Sequence, residues 1–417
     1  MAYKEEKPEF GHAMLKYFAL DPSYLNLNNG SYGTTPRPVL EAIRALSDRI
    51  EANPDLFHRI DFKPMLDEAR SRVAQIIGAN RDEVVFVPNA SMGVNTVLRN
   101  FDWEEGDIIF AFTTTYGSVS RTVQYLTDVP PHPTKCVINL EFPMTHADIL
   151  ETFKQHIHAN PAKPNKKRVA VIDGIVSNPG VLLPWKEMVK ICKQEGIFSL
   201  IDAAHSIGQE VGLDLHKIDP DFWISNCHKW LSARRSCAVL YVPERNQHII
   251  KCSIPTSHTY ISPKDRTGPN FVVQFDWNGT IDYSSYITVT DAIEFREWMG
   301  GEEKINEYCH SLAIKGGQAL AKVLGTSVMD PDGELTLNMV NVALPLPVDF
   351  PNMAAAAESM RNAILAKNAF SASYFHNNSW WTRCSAQVWN EIGDFEELGR
   401  RWLEVCADIK QQYGFTD

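Results

Sequence analysis

Two apolar runs in this chain end on groups that could share one ligand. Phe198-Ser199-Leu200-Ile201 stops at Asp202, and Phe222-Trp223-Ile224-Ser225 is followed three residues later by His228 and then Lys229. Short apolar runs bounded by polar residues suit buried parallel strands. A carboxylate at one strand end and a lysine just past the next can converge on one heterocycle. The amine can form a Schiff base, and the carboxylate can hold a pyridinium proton. Pyridoxal phosphate (PLP) asks for both. The ordinary alternatives are a solvated lysine and an aspartate that caps a helix.

The elements that must position these groups alternate. Residues 84–87, 108–112, 136–140 and 169–172 read as strands, followed by the two runs above and by 237–242. Residues 91–99, 118–126, 147–158 and 185–195 read as helices between them. Alternation of this kind predicts an α/β fold, a mainly parallel sheet covered by helices on both faces. Sites in such sheets lie outside the carboxyl ends of the strands. Asp202, His228 and Lys229 all fall at such ends.

Ahead of the sheet, residues 1–24 read as an arm with one short helix at 12–17. The stretch LNLNNGSYGTTP, residues 25–36, has too much Asn, Gly and Ser for a regular element and exposes backbone N–H groups. Residues 38–53 form an amphipathic helix with Val39, Ile43, Leu46 and Ile50 on one face. PDLFHRIDF, residues 54–62, interrupts it; His58 and Arg59 there either face a substrate or are plain surface groups. Residues 243–280 are an ordered excursion without periodicity. Beyond it, helices at 285–298, 305–324, 353–367 and 394–413 alternate with strands at 337–344 and 381–386, an α+β arrangement.

With 417 residues the chain can hold two domains. A formal net charge of −11 argues against non-specific binding to nucleic acid or anionic membranes. No apolar stretch spans a bilayer, and the N-terminal MAYKEEKPEFGH lacks a signal-peptide core. The eight cysteines are scattered with no CxxC pair, so neither a metal site nor a disulfide framework is indicated. Buried thiols in a reducing, cytoplasmic setting are the expectation.

DAAHSIGQ followed by SNCHKW resembles fold-type I PLP enzymes, and within them the class-V aminotransferase family, from about residue 25 to residue 383. The likeness extends to the isopenicillin N epimerase-like subgroup, with its fungal loline-pathway cyclase and ergothioneine-pathway C–S lyase. It implies the PLP-transferase type I fold, a mainly parallel seven-stranded sheet whose last run is antiparallel, and a smaller α+β C-terminal domain. It further implies an arm at 1–30, a large PLP-binding domain at 31–285 and a small domain at 286–417. Lys229 is then the Schiff-base lysine and the base for the Cα proton, and Asp202 partners the pyridine nitrogen. Ala90, Ser91 and Met92, in PNASMGVN, hold the phosphate through backbone N–H groups and the Ser91 hydroxyl. Ser225 and His228 are further phosphate ligands. Gly279 and Thr280 reach the phosphate of a partner subunit, which implies a homodimer with shared sites.

Tyr116 takes the position of an aromatic or histidine lid over the ring, where many relatives carry His. Its hydroxyl can also act as an acid; the alternative is a tyrosine packed in the core. His205 and Asn178 match residues beside the 3′-oxygen of the ring. Arg383, in WWTRCSA, matches the anchor for the substrate carboxylate. Asn29 and Ser31 lie on the substrate-side loop.

Cysteine desulfurases carry a nucleophilic Cys on a loop shortly before that arginine. Residues 367–379, KNAFSASYFHNNS, contain none, and Cys384 follows Arg383 on a strand. Desulfuration by cysteine attack is therefore disfavoured. Formation of a Cα carbanion on an amino-acid substrate leaves α,β-elimination, as in a C–S lyase acting on a cysteine-type substrate, in first place. Carbon–carbon bond formation in alkaloid synthesis and epimerisation are the alternatives, with a non-catalytic PLP-binding protein as a different class. A dinucleotide-binding dehydrogenase is excluded by the lack of a GxGxxG turn after the first strand.

Overall fold

The computed structural model describes residues 6–415, so the first five residues of the expected arm lie outside the described residues. Strand β1 (Leu25–Asn26) is followed by β2 (Val84–Val87), β3 (Ile108–Phe112), β4 (Thr134–Ile138), β5 (Arg168–Asp173), β6 (Phe198–Asp202), β7 (Phe222–Asn226) and β8 (Ala238–Tyr241). From β2 onward they form one seven-stranded sheet in the order β2-β8-β7-β6-β5-β3-β4. β8 is antiparallel to both neighbours, and the other pairs are parallel. Every residue of β2, β3, β5, β7 and β8 is buried, which is why these strands read as continuous apolar runs.

Alternate residues of each strand feed two separate cores, one on each face. Phe86, Phe110, Ile172, Ile201 and Trp223 pack on one side. Val85, Ile109, Val171, Leu200 and Ile224 pack on the other. Helix Ala90–Asn100 starts directly after β2, with the Asn89 side chain accepting from the Met92 N–H. Helix Trp185–Glu195 ends on Gly196 in the left-handed region (φ 63°), which turns the chain into β6.

Two expectations about the N-terminal third need correcting. The break after the first amphipathic helix falls at Asn53, as expected, but residues 54–62 are themselves helical. A helical turn at Pro54–Leu56, a π-helical turn at Phe57–Asp61 and a helix at Phe62–Ile77 run on from one another. Asn53 caps this run by accepting from the Leu56 N–H, and Pro54 occupies the first position, where a proline starts a helix and does not break it. Residues 25–36 are not without regular structure either. Asn29–Tyr32 form one helical turn, and β1 pairs with a strand far along the chain.

That strand belongs to the C-terminal part, which carries β9 (Met339–Ala343), β10 (Ala369–Phe370), β11 (Ala372–His376) and β12 (Ser379–Ser385). β11-β12-β9 is an antiparallel sheet, and β1 pairs with β10 in parallel. Helices Gly301–Leu324 and Ile392–Gln412 cover it through Leu320, Val340, Phe395 and Trp402. The expected loop at 367–379 is thus mostly strand. Asn377 and Asn378 both take positive φ (43° and 53°) at the turn between β11 and β12, as a tight hairpin requires. No described helix is long and apolar enough to cross a membrane.

Candidate active site

β5, β6 and β7 end side by side, and their ends floor a cavity of about 320 Å³. Asp173 closes β5 and Asp202 closes β6, in register with one another and each 3% exposed. The turn after β7 delivers His228 and Lys229 to the same cavity, and the helix start at Ala90 and Ser91 borders it. Ser31, Tyr116, Ser177 and His205 complete the parts used below.

The turn at 28–33 closes on the lysine from above. Asn29 Nδ2 donates to the Lys229 carbonyl at 3.2 Å. Gly33 has φ +67°, and a Cβ there would stand 1.6 Å from the His228 carbonyl oxygen. Only glycine lets the two turns approach this closely.

Lys229 gives up its proton far more easily than an ordinary lysine. Burial, then the nearby Arg383, pulls its pKa down to about 7, against the opposing pull of Asp202. Its Nζ lies 3.1 Å from His205 Nε2, and Trp230 Nε1–H donates to His205 Nδ1 at 3.2 Å. Burial, followed by the positive charges of Lys229, Arg383 and His228, pushes His205 well below its ordinary pKa, so the ring is neutral. A neutral imidazole carries one N–H. With Nδ1 accepting, that hydrogen sits on Nε2 and points at the lone pair of the Lys229 amine. Trp230, which sets this tautomer, was not among the expected site residues.

The phosphate end differs from expectation. Ala90 N–H donates to Asn226 Oδ1 and Met92 N–H to Asn89 Oδ1, each at 2.9 Å. These two donors are therefore committed within the protein. The Ser91 N–H has no partner among the described residues, and its hydroxyl meets Ser118 Oγ at 2.6 Å. Ser225 is fully buried; its hydroxyl donates to the Ala203 carbonyl and accepts from the Ile207 N–H. Side chains alternate along β7, so Asn226 borders the cavity and Ser225 does not. His228 Nδ1–H donates to the Cys237 carbonyl at 3.0 Å, which leaves Nε2 over, and burial brings its pKa to about 4.

On the substrate side, Arg383 sits on β12 and is 1% exposed. Nη1 donates to the Ser177 carbonyl at 2.6 Å, and Nη2 to Ser31 Oγ at 2.7 Å and Asn28 Oδ1 at 3.1 Å. Its Nε has no partner among the described residues, and burial lowers its pKa to about 10. A buried guanidinium whose hydrogen-bond partners are all neutral is costly on its own and suits an incoming carboxylate. It is not a surface salt bridge.

Tyr116 stands at the cavity rim, 50% exposed, and is not packed in the core. Asn178 is exposed and outside the cavity, whose wall is made by its neighbour Ser177. Thr280 is exposed and does not border this cavity. His58 packs its ring edge-on against Phe57 and Trp277, and Arg59 pairs with Asp55 at the surface, so neither belongs to the site. Asp173 was missed, although the signal that revealed Asp202, an apolar run ending in aspartate, is present there too.

The donor set fits PLP. An easily deprotonated amine, an acidic group at a neighbouring strand end and a helix start with one unpaired N–H line one cavity, and a buried arginine stands behind Ser31 and Ser177 of its wall. Among curated proteins, the chain is 34% identical to an L-cysteine desulfhydrase-like protein of Epichloe uncinata, over 98% of each chain. It is 32% identical to the hercynylcysteine sulfoxide lyase of Schizosaccharomyces pombe, over 96% of this chain and 99% of that one. Among solved structures, it superposes on C-DES, seen with glycine covalently linked to its PLP cofactor, with a TM-score of 0.78 at 16% identity, over 95% and 99% of the two chains. The family model for aminotransferase class V matches residues 26–346. With most of its length under that model and relatives above 30% identity end to end, the chain belongs to the aminotransferase class-V family.

Proposed function

We propose that this protein is a PLP-dependent lyase that cleaves the C–S bond of a cysteine-type substrate by α,β-elimination. The observation that carries the reading is the easily deprotonated Lys229 amine near Asp202, with an arginine of neutral surroundings behind Ser31 and Ser177 of the cavity wall. PLP, when bound, supplies an electron sink for the pair left by the departing Cα proton. Lys229 would hold the cofactor through its amine and, when that amine is free, would take the Cα proton. Asp202 keeps the ring nitrogen protonated. Arg383 would bind the α-carboxylate and so orient the substrate's Cα. The Tyr116 hydroxyl at the rim protonates the departing sulfur. The Cα–H and Cβ–S bonds break, and water releases pyruvate and ammonium from the remaining enamine.

The two relatives named for a desulfhydrase-like protein and a sulfoxide lyase support sulfur as the leaving atom. So does the state of Cys384, which is fully buried with its thiol pushed up to about 12, a poor carrier for a mobile persulfide. Incubation with L-cysteine is expected to yield pyruvate, ammonium and sulfide, and with S-substituted cysteine sulfoxides pyruvate, ammonium and a sulfenate. Deuterium exchange at Cα without pyruvate would overturn the reading in favour of epimerisation or bond formation.

We also infer a homodimer in which the exposed Gly279–Thr280 turn reaches the partner's phosphate, with residues 31–285 as the PLP-binding domain, 286–417 as the small domain and 1–30 as an arm. Light scattering reads the dimer directly. Mixing inactive Lys229→Ala with a Thr280→Trp variant tests the sharing, since recovered activity in hybrids is expected only for shared sites.

A further inference from the structure

β5 and β6 end on a matched pair of carboxyl groups, Asp173 opposite Asp202. Register partners on neighbouring strands present side chains to one face about 5 Å apart. Both are 3% exposed, and both border the cavity. Their surroundings differ. Asp202 Oδ1 accepts from the Ala204 N–H at 3.1 Å and feels the Lys229 amine. Asp173 has the Thr115 hydroxyl on one side, and its Oδ2 is buried with no partner among the described residues. Two carboxylates this close and this deeply buried do not both ionise at neutral pH, because like charges repel and burial penalises each charge. The negative charge goes to the member nearest a cation, and the proton to the other.

We propose that Asp173 is a proton-bearing positioning residue, a neutral carboxyl that donates from Oδ2 to the edge of the PLP ring and leaves Asp202 as the one anion gripping the ring nitrogen. The titratable groups that share its cavity are Asp202 at the neighbouring strand end, His205, His228 and Lys229 on the turns that follow, and Tyr32 and Tyr116 at the rim. Burial, followed by the charge of Asp202, pushes Asp173 well above the ordinary carboxylate range. Burial also raises Asp202, but Lys229 and the Ala204 N–H pull it back. The direction of the division is thus the one that the geometry dictates. A second anion at this spot would draw the proton of the ring nitrogen toward the wrong carboxyl. A neutral donor orients the ring without competing for that proton.

The proposal rests on PLP lying between Lys229 and Asp202, and the resting holoenzyme tests it without any turnover. Asp173→Asn keeps a neutral donor and is expected to bind PLP within about twofold of wild type, with the pH midpoint of the cofactor absorption band unchanged. Asp173→Ala removes the donor and is expected to loosen PLP by about tenfold, the scale of one hydrogen bond. A midpoint shift of about one pH unit in Asp173→Asn would mean that Asp173 works as an anion and would sink the proposal. So would Asp173→Ala binding PLP as wild type does. Should Asp173→Ala fail to fold, infrared spectroscopy of the wild-type holoenzyme decides. A protonated-carboxyl band that vanishes in Asp173→Asn supports the proposal, and its absence overturns it. If Lys229→Ala retained the resting absorption band, the placement of PLP would be at fault instead, an outcome separate from those above.

Discussion

The floor of the cavity and its rim are built on opposite plans. On the floor, Asp173, Asp202, His205 and Trp230 are each at most 3% exposed, at strand ends or on the turns that follow them. On the rim, Tyr116 is 50% exposed and Tyr32 69%, both facing the cavity from turns. The floor holds groups whose protonation burial has moved, which is what a cofactor needs. The rim holds groups that water still reaches, which is what an entering substrate meets. Chemistry common to the family is therefore lodged in the sheet, and choice of substrate is left to loops.

Substitutions separate the two plans, beginning with the floor. Lys229→Ala is expected to abolish both the cofactor absorption band and pyruvate formation; survival of the band would break the assignment of the floor. Gly33→Ala is expected to lose bound PLP nearly as completely, because its new Cβ collides with the His228 carbonyl, and gel filtration with cofactor absorbance reads the loss. Arg383→Ala should raise KM about 100-fold for carboxylate-bearing substrates, the worth of a charge-assisted pair, while PLP stays bound. Loss of PLP in that variant would move Arg383 from the substrate side to the cofactor side.

Smaller effects sharpen the boundary at the rim. Tyr116→Phe should lower kcat by about 10- to 100-fold with little change in PLP affinity if its hydroxyl serves the leaving sulfur. The rate of PLP loading onto apoenzyme depends on the floor. The folded pKa of Lys229 is lowered to about 7, so the free amine, and with it the loading rate, should rise as pH passes upward through about 7 and then level off. Stopped-flow absorbance checks this. Smallest of all, Cys384→Ala should leave pyruvate formation unchanged, and a large loss would reopen attack by a cysteine.

The sheet was legible because its strands are buried on both faces and read as unbroken apolar runs. Asp202 and Lys229 were legible for the same reason, since Asp202 ends one such run and Lys229 stands four residues past the end of the next. The hairpin at residues 369–385 was hidden because its Asn377–Asn378 turn looks like part of a loop until both residues are seen at positive φ. At the phosphate end, the direction of the donors could not be read from residue types. Ala90 and Met92 direct their N–H groups to Asn226 and Asn89, and Ser225 faces away from the cavity.

What the amino-acid order determined by itself is local: where a run of apolar side chains stops, and which charged group stands at the stop. What only the tertiary structure decided is which of those groups meet. Arg383 reaches Ser31 across a separation of 352 residues, and Asp173 faces Asp202 only once β5 and β6 are paired in register. The physical reason is that burial and the neighbouring charge, not residue type, choose which carboxyl keeps its proton and which amine gives one up.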